Sequence, residues 1–138
     1  MKVLFLCTGN SCRSQIAEAF GKELEKDGHR VFSAGTNPQG INPLTFKTMS
    51  EVGFDLLGQH SKNTDEVPVE ELDLVVSMCG HAEDNIPQEL MAIPRVHWPL
   101  EDPADAVGVD AEKLKSFARI RDDIKSRVES LFTESKGA

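Results

Sequence analysis

The chain has 138 residues, enough for one domain, spanning 1–138, that buries a sizeable core without staples. Fifteen basic against 23 acidic residues leave a net charge of −8, which argues against nucleic acid or an anionic membrane as the main partner. No apolar run approaches the roughly 18 residues that span a bilayer, and Met1-Lys2 leads straight into strand pattern with no signal-peptide layout. The three cysteines Cys7, Cys12 and Cys79 are an odd count that suits reactive thiols in a reducing compartment, so a cytosolic protein is expected.

Val3 to Leu6 is a continuous apolar run, as in a strand buried on both faces of a parallel sheet. After Arg13 the period changes: Ile16, Ala17, Phe20 and Leu24 share one helical face, and Asp27-Gly28 closes the segment. Val31 to Ala34 reads as a second strand ending at Gly35. Asn42-Pro43 is an N-cap with proline at the first helical position, and Gly53 stops that helix. Residues 55–71 are polar and broken by Gly58 and Pro68, which predicts a loop with at most one short strand or turn. Leu72 to Met78 is a strand that delivers Cys79 at its C-terminal end. After Pro87 and Pro94, Val96-His97-Trp98 forms a fourth strand, followed by Glu101-Asp102-Pro103. Leu114, Phe117, Ile120, Ile124, Val128 and Leu131 then mark an amphipathic helix from about Ala111 to Phe132. Strands alternating with helices predict an α/β fold, an open four-stranded parallel sheet with helices on both faces and right-handed crossovers. Ligands of such sheets bind beyond the carboxyl ends of the strands, where Cys7, Cys79 and Asp102 all fall.

The segment Cys7-Thr8-Gly9-Asn10-Ser11-Cys12-Arg13-Ser14 carries the strongest chemical signal. The six residues after Cys7, through Arg13, can wrap into a ring of inward amides, with Gly9 allowing a turn that other residues resist. Sulfur and guanidinium then meet across the ring around a tetrahedral oxyanion. A helix N-terminus with a nearby Arg lowers a cysteine pKa from about 8.5 towards or below neutrality, so an activated Cys7 nucleophile is expected. Ser14 is either an N-cap or a hydroxyl that donates to the Cys7 thiolate. Asp102 opposite the thiolate could protonate a leaving oxygen, a role worth typically 10²–10⁴-fold. Cys79 is either a small core hydrophobe, the commonest fate of a free cysteine, or a redox partner for Cys7, the reading its delivery to the same edge favours. Cys12 either packs or forms a protective disulfide with Cys7. A zinc site would need a fourth ligand, for which only His81 lies near Cys79, and no metal is expected. His29, His60, His81 and His97 have no spacing that suggests a metal or triad, and Trp98 reads as core.

Together with Gln15-Ile16-Ala17-Glu18, Ser33-Ala34-Gly35, the Leu74 to Cys79 segment and His97-Trp98 leading to Asp102-Pro103-Ala104, the Cys7 to Ser14 loop resembles the arsenate reductases built on the low-molecular-weight tyrosine phosphatase fold. The resemblance runs over nearly the whole chain. Gln15 in place of a proline, Ala104 in place of an aromatic, Cys79 and the absence of tyrosine point to the reductase branch. The resemblance implies that Cys7 attacks arsenate held by Arg13 and the loop Thr8 to Ser14, that Ser14 and Asn10 stabilise thiolate and loop, and that Asp102 protonates the departing oxygen. Cys79 would then attack the Cys7 sulfur, releasing arsenite and leaving a Cys7–Cys79 disulfide. Phosphate and sulfate would compete as oxyanions, and a monomer is expected.

Thioredoxin-coupled relatives carry a third redox cysteine at a position that aligns with Ile86 here. The resemblance therefore leaves two reductants: a small thiol with glutaredoxin, or a thioredoxin-type protein attacking the Cys7–Cys79 disulfide directly. Some relatives bind potassium at positions matching Asn10, Glu18 and Ser33, with Asn63 here at the fourth position in place of Asp. Two other readings use the same loop: a phosphatase acting on phosphotyrosine or a small phosphomonoester without Cys79, and a non-catalytic oxyanion or redox sensor.

Overall fold

In the computed structural model, which describes residues 1–137 and side chains through residue 133, the apolar run near the N-terminus forms β1 (Lys2–Cys7). Val3 to Cys7 are all buried, and since alternate residues of a strand point to opposite faces, both faces of the sheet are covered. Parallel pairing joins β1 to β2 (Arg30–Gly35) on one side and to β3 (Leu74–Ser77) on the other, and β4 (Arg95–His97) completes the order β2-β1-β3-β4. The chain leaves β1 towards one edge and returns to the other, so the strand order switches between β1 and β3. Crevices at such switch points, beyond the carboxyl ends, are where open α/β sheets hold ligands. Cys7 ends β1, and Cys79 lies two residues beyond β3.

Between the strands run α1 (Arg13–Lys22), α2 (Pro43–Ser50) and α3 (Gly80–Asp84), and α4 (Asp110–Gly137) closes the fold. Asn42 caps α2 as expected, its side-chain oxygen accepting from the Leu44 amide with Pro43 in the first turn. On α4, Phe117, Ile120, Ile124, Val128 and Phe132 are buried along one stripe. Arg121 interrupts that stripe and donates to the carbonyl and hydroxyl of Thr48, tying α4 to α2.

Several expectations are revised. Residues 55–71 form the expected loop, holding two short 3₁₀ turns, Thr64–Glu66 and Val69–Glu71, in place of one short strand or turn. The short α3 directly after Cys79 has too few apolar positions to show a period, and the sequence reading missed it. On α1 the apolar stripe predicted one buried face, yet every residue from Arg13 to Gly21 is buried, including Ser14, Gln15 and Glu18. Gly9 is not the loop residue with a left-handed backbone; that residue is Asn10, at φ 49°.

Gly35, opposite Cys7 in the β1–β2 register, sets how closely the loop lies against the sheet. A Cβ there would stand 2.5 Å from the Thr8 carbonyl oxygen and 2.9 Å from the Asn10 amide nitrogen, both backbone atoms that cannot swing aside. Gly35→Ala should therefore lower unfolding stability by about 1–3 kcal/mol, read as a reduced urea midpoint. An unchanged midpoint would show that the loop has slack at this contact.

Candidate active site

The Cys7 to Ser14 loop is turned inside out relative to an ordinary turn: its carbonyls face the protein and its amides face inward. The carbonyl of Cys7 accepts from Thr36, that of Thr8 from Asn37, that of Gly9 from Gln39 and the Ser61 hydroxyl, and that of Ser11 from Asn42 and the Thr45 hydroxyl. None of the amides from Gly9 to Ser14 donates to a backbone carbonyl among the described residues. Those donors converge at the N-terminus of α1, whose dipole adds partial positive charge, and an anion is the natural complement.

Behind the loop, the Cys7 Sγ lies 2.8 Å from the Ser14 Oγ. The direction of that bond follows from its neighbours. The Lys62 backbone amide donates to Asn10 Oδ1 at 2.9 Å, which identifies the oxygen of that side chain and turns its Nδ2 towards Ser14. Ser14 Oγ accepts from Asn10 Nδ2 at 2.8 Å, so its own proton is left for the sulfur. Ser14 thus bonds the Cys7 sulfur and is not a cap; the N-cap of α1 is Cys12, which makes no side-chain capping bond. Burial pushes the Cys7 thiol above its ordinary value, while the Ser14 hydroxyl, the Ser14 and Asn10 amides and the Arg13 charge all pull it down. The sequence reading expected a net lowering from the helix terminus and Arg13. In the structure burial outweighs them, Cys7 being only 3% exposed at the cleft wall.

Arg13 is almost fully enclosed. Its Nη1 donates to the carbonyls of Met78 (3.2 Å) and Leu100 (2.9 Å), which pins the guanidinium between the end of β3 and the segment before Asp102. Its buried Nε has no hydrogen-bond partner among the described residues, and Nη2 faces Asp102 Oδ2 at 3.6 Å. The side-on pair Nε–Nη2 is the edge that grips an oxyanion in two parallel bonds, and among the described residues its one partner is the Asp102 carboxylate facing Nη2. Asp102 begins a 3₁₀ turn, Pro103–Asp105, its Oδ1 accepting from the Ala104 amide, and it stays 34% exposed at the cleft mouth.

Cys79 joins the site through Thr8, whose Oγ1 lies 3.2 Å from the Cys79 Sγ. The same sulfur accepts from the Ala82 amide as the N-cap of α3. Cys7, Cys12 and Cys79 are all free thiols. Cys12 packs as a buried side chain at the loop wall, beside the Ser11 hydroxyl, and burial raises its thiol too, against the hydroxyls of Ser11 and Thr45. Cys7, Arg13, Cys79 and Asp102 line one cleft of about 580 Å³ together with Thr8, Gly9, Ser11 and Cys12. Asn10 and Ser14 are wholly buried behind the loop, their side chains turned to the sulfur and to each other, while their neighbours form the cleft wall.

Residues missed by the sequence reading stand around this set. His81, Asp105, Gln39 and Asn42 line the cleft, and Gln15, Gln59 and Ser61 brace the loop from outside. Only position after a strand or a loop could have marked His81 and Asp105, and no local pattern marks the rest. Asn63, expected at the fourth corner of the oxygen cluster formed by Asn10, Glu18 and Ser33, instead caps the Thr64 turn. The corner is taken by Lys62, whose Nζ lies 3.3 Å from Glu18 Oε1 and 3.4 Å from Ser33 Oγ.

The family model for low molecular weight phosphotyrosine protein phosphatase matches residues 2–137. An arsenate reductase of Halalkalibacterium halodurans is 45% identical over 134 residues, covering 97% of this chain and 96% of the relative. One from Bacillus subtilis is 42% identical over 134 residues, with the same coverage of 97% and 96%. Among solved structures, an arsenate reductase in its phosphate-binding state superposes with a TM-score of 0.81 at 36% identity, covering 96% of this chain and 97% of the other. With an anion loop whose thiol, arginine and aspartate share one cleft, and a family match over almost its full length, the chain belongs to the low molecular weight phosphotyrosine protein phosphatase family.

Proposed function

We propose that the chain is a cytosolic arsenate reductase in which Cys7 is the nucleophile and Cys79 the resolving thiol. The observation that carries this reading is the second thiol. A phosphatase needs only Cys7, Arg13 and Asp102, yet Cys79 opens onto the same cleft and is tied by a hydrogen bond to Thr8, the neighbour of Cys7 in the chain. The relatives at 42–45% identity over nearly the whole chain carry the name of that activity.

The chemistry divides into two displacements. The Cys7 thiolate attacks arsenic of arsenate held by the loop amides and the Nε–Nη2 edge of Arg13; an S–As bond forms, and the As–O bond to the departing oxygen breaks as Asp102 supplies its proton. The Cys79 thiolate then attacks the Cys7 sulfur. A Cys7–Cys79 disulfide forms, the S–As bond breaks with its electron pair passing to arsenic, and As(V) leaves as arsenite, As(III). The Thr8 hydroxyl, 3.2 Å from Cys79 Sγ, is placed to stabilise the Cys79 thiolate by a hydrogen bond, keeping its own proton, before that attack. Two electrons from an external thiol restore the cysteines. With Ile86 where a third redox cysteine would stand, that reductant is a small thiol with glutaredoxin, or a thioredoxin-type protein acting on the disulfide itself. Phosphate and sulfate, sharing the tetrahedral anion shape, compete for the loop.

Arsenite release with a thiol reductant and hydrolysis of an aryl phosphate, measured side by side, test the assignment. Cys7→Ser should abolish both, whereas Cys79→Ser should keep the hydrolysis and lose sustained arsenite release. Undiminished turnover of arsenate by Cys79→Ser would remove the relay, and absence of both activities in the native protein would favour a sensor. Asp102→Asn should slow aryl phosphate hydrolysis by about 10²–10⁴-fold with little change in oxyanion affinity. Ser14→Ala takes from the sulfur the hydroxyl that lowers its pKa, so the midpoint of Cys7 alkylation, followed peptide by peptide by mass spectrometry, should move to higher pH. A midpoint that stayed in place would mean that Ser14 does not serve the thiolate.

A further inference from the structure

Lys62, in a segment with no regular structure, is held behind the anion loop at three points, one of them on the loop itself. Its backbone amide donates to Asn10 Oδ1 at 2.9 Å, and its carbonyl accepts from the Gly35 amide at 2.8 Å. Its ammonium sits 3.1 Å from the His60 carbonyl, 3.3 Å from Glu18 Oε1 and 3.4 Å from Ser33 Oγ, with the side chain only 11% exposed. Three oxygens at that range surround the nitrogen as they would a monovalent metal ion. The carboxylate they include is itself only 6% exposed, and its other oxygen already meets Lys22 at 3.0 Å.

A potassium ion touching Glu18 Oε1 and Ser33 Oγ would have to share that space with the ammonium, at contact distance and with like charge in a poorly hydrated setting. The residues present therefore do not fit the ion. We infer that Lys62 is a built-in cation that stands in for dissociable potassium at this cluster and serves as a positioning residue for the Cys7 thiolate.

The connection to the sulfur is continuous. Ser33 donates to Glu18 Oε1 at 2.6 Å, so its oxygen is free to accept from Asn10 Nδ2 at 3.0 Å. Asn10 Nδ2 donates also to Ser14 Oγ, whose proton faces Cys7 Sγ. Burial pushes the Glu18 carboxyl up, but the Ser33 hydroxyl and the Lys62 and Lys22 charges outweigh it and keep the group below its usual range. With the Lys62 charge removed, a largely buried carboxylate loses one of its two partners, and the Ser33 hydroxyl that orients Asn10 is freed to turn. Lys62 touches neither sulfur nor cleft, so its effect on chemistry passes through Asn10 and Ser14.

Wild type and Lys62→Met are compared in potassium chloride and in choline chloride at equal ionic strength. Two readouts are taken: the pH midpoint of Cys7 alkylation, resolved by peptide, and kcat and KM for arsenate reduction. Wild type should differ by less than about twofold between the salts. Lys62→Met should raise the alkylation midpoint by about one pH unit in choline and lower kcat on the order of tenfold, with potassium but not choline reversing both. Severalfold stimulation of wild type by potassium would overturn the proposal, as would a Lys62→Met midpoint equal to that of wild type or a defect that potassium fails to reverse. Should Lys62→Met not fold, the salt comparison on wild type decides alone. The kinetic arm rests on the reductase reading; the alkylation arm needs no substrate. Failure of wild type to release arsenite would overturn only that reading, leaving alkylation to judge Lys62.

Discussion

The geometry of the site hangs on the side chain of Asn10. A primary amide offers two protons and two lone pairs, and all are used: Nδ2 donates to Ser14 and Ser33, and Oδ1 accepts from Gln15 and the Lys62 amide. These four bonds reach α1, β2 and the 59–62 segment at once. They hold Asn10 in a left-handed backbone conformation, which costs a non-glycine residue up to about 1–2 kcal/mol and is least costly for Asn or Asp. With the backbone turned that way, the neighbouring carbonyls point outward to their partners and the amides are left facing the anion. The same side chain orients Ser14 towards the sulfur. Loop shape, anion affinity and the state of the thiol are therefore coupled through one buried amide.

The sheet supplies what Asn10 cannot, namely the meeting of distant parts. A parallel arrangement with the order β2-β1-β3-β4 puts all carboxyl ends on one edge, and its switch between β1 and β3 opens the crevice between the strand that ends in Cys7 and the one that leads to Cys79. Arg13 then closes the floor, its Nη1 tied to carbonyls that flank β4 on either side in sequence. Because that nitrogen is consumed by structure, the guanidinium is held in one orientation before any anion arrives, and little side-chain entropy remains to be lost on binding.

Activation and burial of Cys7 pull in opposite directions. Burial disfavours the thiolate, whereas hydroxyl, amides, guanidinium and helix terminus favour it, and every one of the favourable groups lies within the loop or the first turn of α1. Cys79 meets one distant and one near partner, the Thr8 hydroxyl from across the cleft and the Ala82 amide of its own helix.

Local chemistry alone determined the order of strands and helices, the Asn42-Pro43 start of α2, the buried stripe of α4 and the loop from Cys7 to Ser14, because apolar period, caps and a Cys-x5-Arg spacing are properties of near neighbours in the chain. Parallel topology, inferred from that alternation, was enough to send Cys7, Cys79 and Asp102 to one edge. The tertiary structure decided the rest. That the left-handed residue is Asn10 and not Gly9, that Ser14 serves the sulfur and not a cap, and that Lys62 rather than Asn63 closes the oxygen cluster all depend on contacts between residues 23 to 52 positions apart or on hydrogen bonds whose direction is set by such contacts. Polar residues such as Glu18 and Lys62 read as solvated in a linear sequence. They are buried here because each meets its partner only when β2, α1 and the 59–62 segment have closed on the loop, and no pattern of neighbours records that closure.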